Sequence, residues 1–109
     1  MFKSIYKKIK TDFNYLEKYG YLFSHNVTHY IVPSVVFQDG KSSIRIGFNY
    51  ESNRIYIQWF PSKGQLQGEQ LFDLIDLHGA SYQEQVNIAK DFLQTFLNSY
   101  KNAEQSSKN

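Results

Sequence analysis

Two short runs of alternating apolar and polar residues constrain the fold of this chain more than any other feature. The apolar members are Ile44, Ile46, Phe48 and Tyr50 in the first run, then Ile55, Ile57 and Trp59 in the second. Alternation with a period of two is typical of a β-strand that buries one face. The turn residues Ser52 and Asn53 separate the runs. The sequence therefore predicts an antiparallel hairpin with one apolar face.

A third strand is predicted ahead of this hairpin, over residues 28–38. The segment is rich in β-branched and aromatic residues. It is interrupted by Pro33, which suggests a strand start, a bulge or a strand at the edge of the sheet. Asp39 and Gly40 follow as a strong turn signal. Together the three segments predict an antiparallel meander.

Two-residue turns at these positions define a predicted register. A turn at Asp39-Gly40 pairs Val35 with Ile44. The turn at Ser52-Asn53 gives three further pairs, which are Tyr50 with Ile55, Phe48 with Ile57 and Ile46 with Trp59. All these residues share one face, and a slip by one residue would move the apolar set of a strand to the other face.

The opposite face of the predicted sheet is mostly polar and carries a few rings. Its residues are Ser34, Val36, Gln38, Arg45, Gly47, Asn49, Tyr56, Gln58 and Phe60. If helices cover only the apolar face, this second face meets solvent or a partner.

Helices are predicted on both sides of the meander. The first twenty residues have apolar side chains at helical spacing, at Ile5, Ile9, Phe13 and Leu16, and Gly20 stands where a C-cap glycine belongs. A second, shorter helix starting at Thr11-Asp12 is the alternative for the end of this segment.

Two more helices are predicted after the loop at residues 61–68. Residues 69–77 form a short one, and Ser81 to Glu84 is a capping box that starts the last. The inner face of the last helix is Val86, Ala89, Phe92, Leu93, Phe96, Leu97 and Tyr100. We therefore expect an α+β fold of two layers: helix, three-stranded antiparallel meander, helix and helix, with the helices on one sheet face. Residues 1–100 form one domain, and residues 101–109 form a polar tail predicted to be disordered.

Composition excludes several classes of function. The 109 residues carry a net charge of +2, too weak a field to indicate nucleic acid or an anionic membrane as partner. The chain has no cysteine, so it has no disulfide, thiol nucleophile or cysteine-based zinc site. Its start lacks the apolar stretch of a signal peptide, and no run is long enough to span a membrane. These observations predict a cytoplasmic protein.

No motif in the sequence predicts catalysis, a metal or a cofactor. His25 and His29 are four residues apart but lie in a segment that favours loop or strand, without companion carboxylates. His78 precedes Gly79 at a predicted helix end, where a cationic imidazole suits the helix dipole. A small-ligand or enzymatic domain that uses these histidines in a cleft between helices and sheet is the alternative function.

Two surfaces are candidates for binding a protein partner. One is the polar sheet face, where Arg45, Tyr56, Gln58 and Phe60 supply residue types that are common anchors at interfaces. The other is an acidic stripe of Glu69, Asp73 and Asp76 on the predicted short helix. That stripe is either a docking surface for a basic partner or an ordinary solvated helix face. A homodimer through the sheet face, or through an edge strand near Pro33, is a further possibility.

Three segments resemble small bacterial proteins of the immunity type, which neutralise toxins encoded beside them. The segments are residues 12–21 (DFNYLEKYGY), 43–51 (SIRIGFNYE) and 54–59 (RIYIQW). The resemblance is one of layout, and it implies a small α+β fold and a toxin as partner. It supplies no set of functional residues. The chain also departs from the strong acidity of many inhibitors of nuclease toxins.

The sequence as a whole therefore predicts a non-enzymatic interaction module. It is expected to act without a cofactor and to occlude the surface of a partner protein. The resemblance to immunity-type proteins implies that this partner is a toxin.

Overall fold

The computed structural model describes residues 3–28, 32–61, 69–70 and 79–107. Its helices are α1 (Lys3–Asp12), a 3₁₀ helix (Asn14–Tyr19) and α2 (Tyr82–Ser107). Its strands are β1 (Leu22–Val27), β2 (Ser34–Gln38), β3 (Ser43–Asn49), β4 (Arg54–Phe60) and β5 (Glu69–Gln70). The strands form one antiparallel sheet in the order β1-β2-β3-β4-β5, so each strand pairs with its neighbour in the chain.

The core lies between one face of this sheet and the helices. The buried sheet residues are Val35, Phe37, Ile44, Ile46, Phe48, Ile55, Ile57 and Trp59. They form one cluster with Ile5, Ile9, Phe13, Leu16, Tyr21, Val86, Ala89, Leu93 and Leu97. The α+β class is thus confirmed, and in the described residues the apolar sheet face and the stripes of α1 and α2 bury each other.

The number of strands differs from the three expected. The sheet has four longer strands and the two-residue β5 at one edge. The sequence did not reveal β1 because a bulge breaks its alternation: Phe23 pairs with Phe37, but the next pair is His25 with Val36. The strand expected over residues 28–38 is described only as β2, which begins after Pro33. Since β2 lies between β1 and β3, the strand beside Pro33 is an interior strand and the edge is β1.

Both predicted hairpin registers are wrong by two residues. Phe37, rather than Val35, pairs with Ile44, and Phe48, rather than Tyr50, pairs with Ile55. The cause is that each turn contains four residues instead of two. A shift by two keeps the side chains of the strands on their predicted faces. Tyr50 is the exception, because it was expected on the apolar face but lies in the turn after β3 and is 48% exposed.

Side chains at the strand ends account for the longer turns. Asp39 Oδ1 accepts the backbone N–H groups of Lys41 and Ser42, at 3.0 and 2.9 Å. Asn49 Oδ1 accepts those of Glu51 and Ser52 in the same way, at 2.9 and 3.3 Å. These side chains satisfy turn donors that a two-residue hairpin would not have.

The helix boundaries are partly as expected. The first helix ends at Asp12 and is followed by the 3₁₀ helix, which Gly20 terminates in a left-handed conformation at φ 88°. The capping box is confirmed, since Glu84 N–H donates to Ser81 Oγ at 3.2 Å and Ser81 N–H donates to Glu84 Oε1 at 3.4 Å. The backbone of α2 continues to Ser107, into the segment expected to be a disordered tail.

The prediction of a helix over residues 69–77 is wrong for its first two residues. Glu69 and Gln70 are extended and pair with β4 as β5. Residues 71–78 lie outside the described residues. Among the residues that are described, neither α1 nor α2 has the length and apolar character that a membrane-spanning helix needs.

Candidate interaction face of the sheet

The face of the sheet turned away from α1 and α2, here called the outer face, is built from three rows of side chains that cross the strands. The strand registers define these rows as Val27, Ser34, Gly47 and Tyr56, then His25, Val36, Arg45 and Gln58, and finally Leu22, Gln38, Ser43 and Phe60. Three of the predicted binding residues, Arg45, Gln58 and Phe60, therefore come from adjacent positions on β3 and β4. Tyr56 lies in the neighbouring row.

Arg45 is held in place by the residues around it. Its Nη2 donates a hydrogen bond to Oε1 of Gln58, its direct cross-strand neighbour. Its guanidinium carbon lies 5.6 Å from the centroid of the Phe60 ring, a cation–π arrangement. All three side chains are half-buried. The guanidinium is thus oriented by two partners on one rigid strand, which reduces the entropy that a contact with a further group would cost.

Gly47 makes a depression in the middle of the outer face. It pairs with Ser34 on one side and with Tyr56 on the other. A Cβ atom at Gly47 would lie 2.6 Å from Ser34 Oγ and 3.0 Å from both Pro33 O and Val32 Cγ1. Only glycine fits this close approach without a shift of its neighbours, and its missing side chain leaves a gap beside the Tyr56 ring.

This depression is the floor of a groove of about 240 Å³. The groove is lined by Val32, Ser34, Arg45, Gly47, Asn49, Tyr56 and Gln58. A second, more open groove of about 340 Å³ lies beside it and is lined by His25, Val27, Val36, Gln38, Ser43, Arg45 and Phe60. Arg45 belongs to both linings, so the two grooves adjoin along the sheet on either side of its side chain.

Only one of the three candidate histidines lies among the described residues. His25 is exposed on β1, with Nδ1 2.8 Å from the hydroxyl oxygen of Ser24. His29 and His78 lie outside the described residues. Within the described ranges no three metal-binding side chains come together.

Only Glu69 of the predicted acidic stripe lies among the described residues, and it is not on a helix. Glu69 is in β5, at the register position opposite Trp59. Asp73 and Asp76 lie outside the described residues. The outer face is therefore the candidate surface that the structure describes.

Sequence reasoning named Arg45, Tyr56, Gln58 and Phe60 but did not give Val32, Ser34, Gly47 and Asn49 a role. The available signal was Gly47 itself, because a glycine in the middle of a strand marks a bulge or a close approach of another group. Val32 was included in the strand predicted over residues 28–38, but it lies before β2 and packs beside Gly47 from outside the strand.

Two tyrosines with a raised pKa, Tyr15 and Tyr82, lie on the helix side of the sheet and not on the outer face. Burial raises the pKa of Tyr82, and Asp12 raises it further because the Tyr82 hydroxyl donates to Asp12 Oδ2 at 3.0 Å. This bond connects α2 with the end of α1. Burial also raises the pKa of Tyr15, with smaller contributions from Tyr19 and Asp91.

Comparison with known protein families, with curated proteins and with solved structures finds no match to this chain.

Proposed function

We propose that this chain is a non-enzymatic interaction module that binds a partner protein through the outer face of its sheet. The observation that carries the proposal is the groove floored by Gly47, between the Arg45 guanidinium and the Tyr56 ring. Arginine and tyrosine are favoured at the centres of protein interfaces, where they fill or border pockets for the residues of a partner.

The size of the groove favours a protein side chain over a free small molecule. At about 240 Å³ it is smaller than the roughly 300–1,000 Å³ of typical small-ligand sites, and the adjoining groove of about 340 Å³ is at the lower end of that range. The first groove also opens toward the second groove across Arg45, so it does not enclose a ligand. A protrusion from a partner surface can fill the depression while neighbouring residues of the partner cover the adjoining groove.

The scaffold keeps the surface ready to bind. Strands β3 and β4 carry the groove on one face, and on the other they bury Ile44, Ile46, Ile55 and Ile57 against the helices. An interface that is already ordered avoids the cost of fixing loops on association. The mechanism is steric, because the bound module covers the surface of its partner.

The resemblance of segments 12–21, 43–51 and 54–59 to immunity-type proteins supplies the class of partner. On this proposal the partner is a toxin, and the module neutralises it by occluding a surface that the toxin needs. The resemblance of layout alone supports this finer part of the proposal.

A capture experiment with matched variants tests the proposal. The tagged chain is used to capture proteins from its native host, and these are identified by mass spectrometry. The test variant carries Arg45→Ala, Tyr56→Ala and Phe60→Ala. The control carries Gln83→Ala, Asn87→Ala and Thr95→Ala, three exposed positions of α2 on the helix side. Both must retain the circular dichroism and cooperative unfolding of the original chain.

We expect one stoichiometric partner that the control retains and the test variant loses. Titration calorimetry with that purified partner should then show a loss of about 2 kcal/mol or more for the central residues of the interface. A partner that a folded test variant retains would place the interface elsewhere. Absence of any partner would favour a small-ligand function.

A further inference from the structure

The acidic and basic residues of the five described strands are divided between the two faces of the sheet. The basic residues of these strands are His25, Arg45 and Arg54, and the strand registers place all three on the outer face. The one carboxylate of these strands belongs to Glu69, which is opposite the buried Trp59 and therefore on the other face. The strands of the outer face thus offer basic groups to a partner and no acidic group.

Arg45 has the central position among these basic residues. It lines both grooves, so a group that enters either groove meets its side chain. The hydrogen bond to Gln58 and the contact with the Phe60 ring orient the guanidinium. A guanidinium has five N–H groups in one plane, and the bond to Gln58 uses one of them. The same group can therefore hold Gln58 and bind a carboxylate at the same time.

We propose that the outer face binds an acidic segment of its partner protein. The carboxylate of an aspartate or glutamate side chain bonds to the Arg45 guanidinium where the two grooves meet. This inference rests on the proposed function and adds the chemistry of the partner. A planar carboxylate matches two parallel N–H donors of a guanidinium. Arg45 is already half-buried, so a partner that covers the grooves excludes water from the pair and strengthens the attraction.

The surroundings of Arg45 favour a carboxylate side chain over other anions. A phosphate group carries nearly two charges and is commonly bound by several cations or by a helix N-terminus. The cross-strand neighbours of Arg45 are instead Val36 and Gln58, which are neutral. A C-terminal carboxylate is commonly captured by a nest of backbone N–H groups. The backbone of β3 at Arg45 is paired with β2 on one side and β4 on the other, so the site consists of side chains.

Selection of short random peptides displayed on phage, with the purified chain as bait at low ionic strength, tests the inference. The selected peptides are synthesised, and their affinities are measured by calorimetry. We expect them to share an aspartate or glutamate at one position. Replacing this residue by asparagine or glutamine should weaken binding by about tenfold, because a partly desolvated charge pair is lost.

Variants of the chain locate the partner of that carboxylate. Arg45→Gln should weaken the acidic peptides by the same factor, and it should have little effect on the amide peptides, because the two groups form one pair. Lys7→Gln is the matched control, since it removes the same charge from an exposed position of α1 on the helix side. Screening should limit its effect to less than about twofold. The change in the peptide is made on the ligand, so it remains informative even if Arg45→Gln fails to fold.

The possible results separate this inference from the proposed function. Selected peptides that lack an acidic residue but lose affinity for a folded Tyr56→Ala chain would overturn the inference and leave the proposed function intact. Acidic peptides whose affinity a folded Arg45→Gln chain retains would overturn it too, as would a selection that recovers no peptide. The proposed function fails separately, if the partner captured from the host is retained by the folded variant with Arg45→Ala, Tyr56→Ala and Phe60→Ala.

Discussion

The ammonium group of Lys101 lies 3.0 Å from Oδ2 of Asp39 and joins α2 to the turn between β2 and β3. The same carboxylate accepts bonds from Lys41 N–H, Ser42 N–H and Ser42 Oγ through Oδ1. The hydroxyl groups of Ser42 and Tyr21 share a hydrogen bond at 2.6 Å. The carboxylate thus connects the hairpin with α2 directly, and with Tyr21, just before β1, through Ser42.

The Asp39 carboxylate should make stability depend on pH in the acid range. Burial acts to raise its pKa, but the bonds from Ser42, Lys101 and Lys41 outweigh burial and lower the pKa to about 2. A pKa below the unfolded value, about 3.9, means that the stabilisation is complete above pH ~4 and is lost as the pH falls toward 2. Because Lys101 is partly exposed to solvent, we expect the charged Asp39 carboxylate to contribute about 1–2 kcal/mol to the free energy of unfolding.

Asp39→Asn isolates the charge, because the amide retains an oxygen for the turn N–H groups. We expect Asp39→Asn to lower the free energy of unfolding at pH 7 by about 1–2 kcal/mol. Between pH 4 and 2 the free energy of unfolding of this variant should change less with pH than that of the original chain. Urea unfolding across this range measures both effects. Glu51→Gln, at an exposed turn position, is the control. An unchanged acid profile in Asp39→Asn would show that the charge of the Asp39 carboxylate contributes nothing to stability.

Gln85 should be the most costly polar residue of α2 to replace. It is 1% exposed, and its Oε1 accepts Ile55 N–H at 2.8 Å while its Nε2 donates to Asn53 O at 2.7 Å. Truncation to alanine leaves the buried Ile55 N–H without a partner and removes the bond to Asn53 O, which together cost about 2–3 kcal/mol. Denaturant unfolding should show this loss for Gln85→Ala and a change below about 0.5 kcal/mol for the exposed Gln83→Ala.

The close approach at Gly47 should make even one added methyl group unfavourable. A Cβ atom there meets Ser34 Oγ at 2.6 Å, so we expect Gly47→Ala to destabilise the fold by about 1–3 kcal/mol. Adding Ser34→Ala removes the closest atom and should recover part of this loss. A double-mutant cycle of thermal unfolding measures the coupling. Strictly additive effects would contradict the described contact.

Several features of this fold were readable from the sequence because they depend on local chemistry. The alternation through β3 and β4 assigned each residue to the correct face, since successive side chains of a strand point to opposite sides whatever the partner strand is. Ser81 and Glu84 predicted the start of α2, and Gly20 the end of the 3₁₀ helix. Arg45, Gln58 and Phe60 were recognised as one surface for the same reason.

Other features were decided by hydrogen bonds within the turns and by contacts between distant parts of the chain, neither of which the alternation of residues reveals. Four-residue turns shifted both hairpin registers by two, because Asp39 and Asn49 each bind two turn N–H groups. The bulge in β1 interrupts its alternation, so the residue pattern did not predict this strand. Its pairing with β2 makes β1 an edge strand of the sheet. Gly47 became the floor of a groove only because Val32 and Ser34 pack against it. The sequence by itself thus determined which residues face the core, since side-chain period and hydrophobic burial act locally. The tertiary structure decided which residues meet across the sheet, since register depends on turn hydrogen bonds and on packing between segments far apart in the chain.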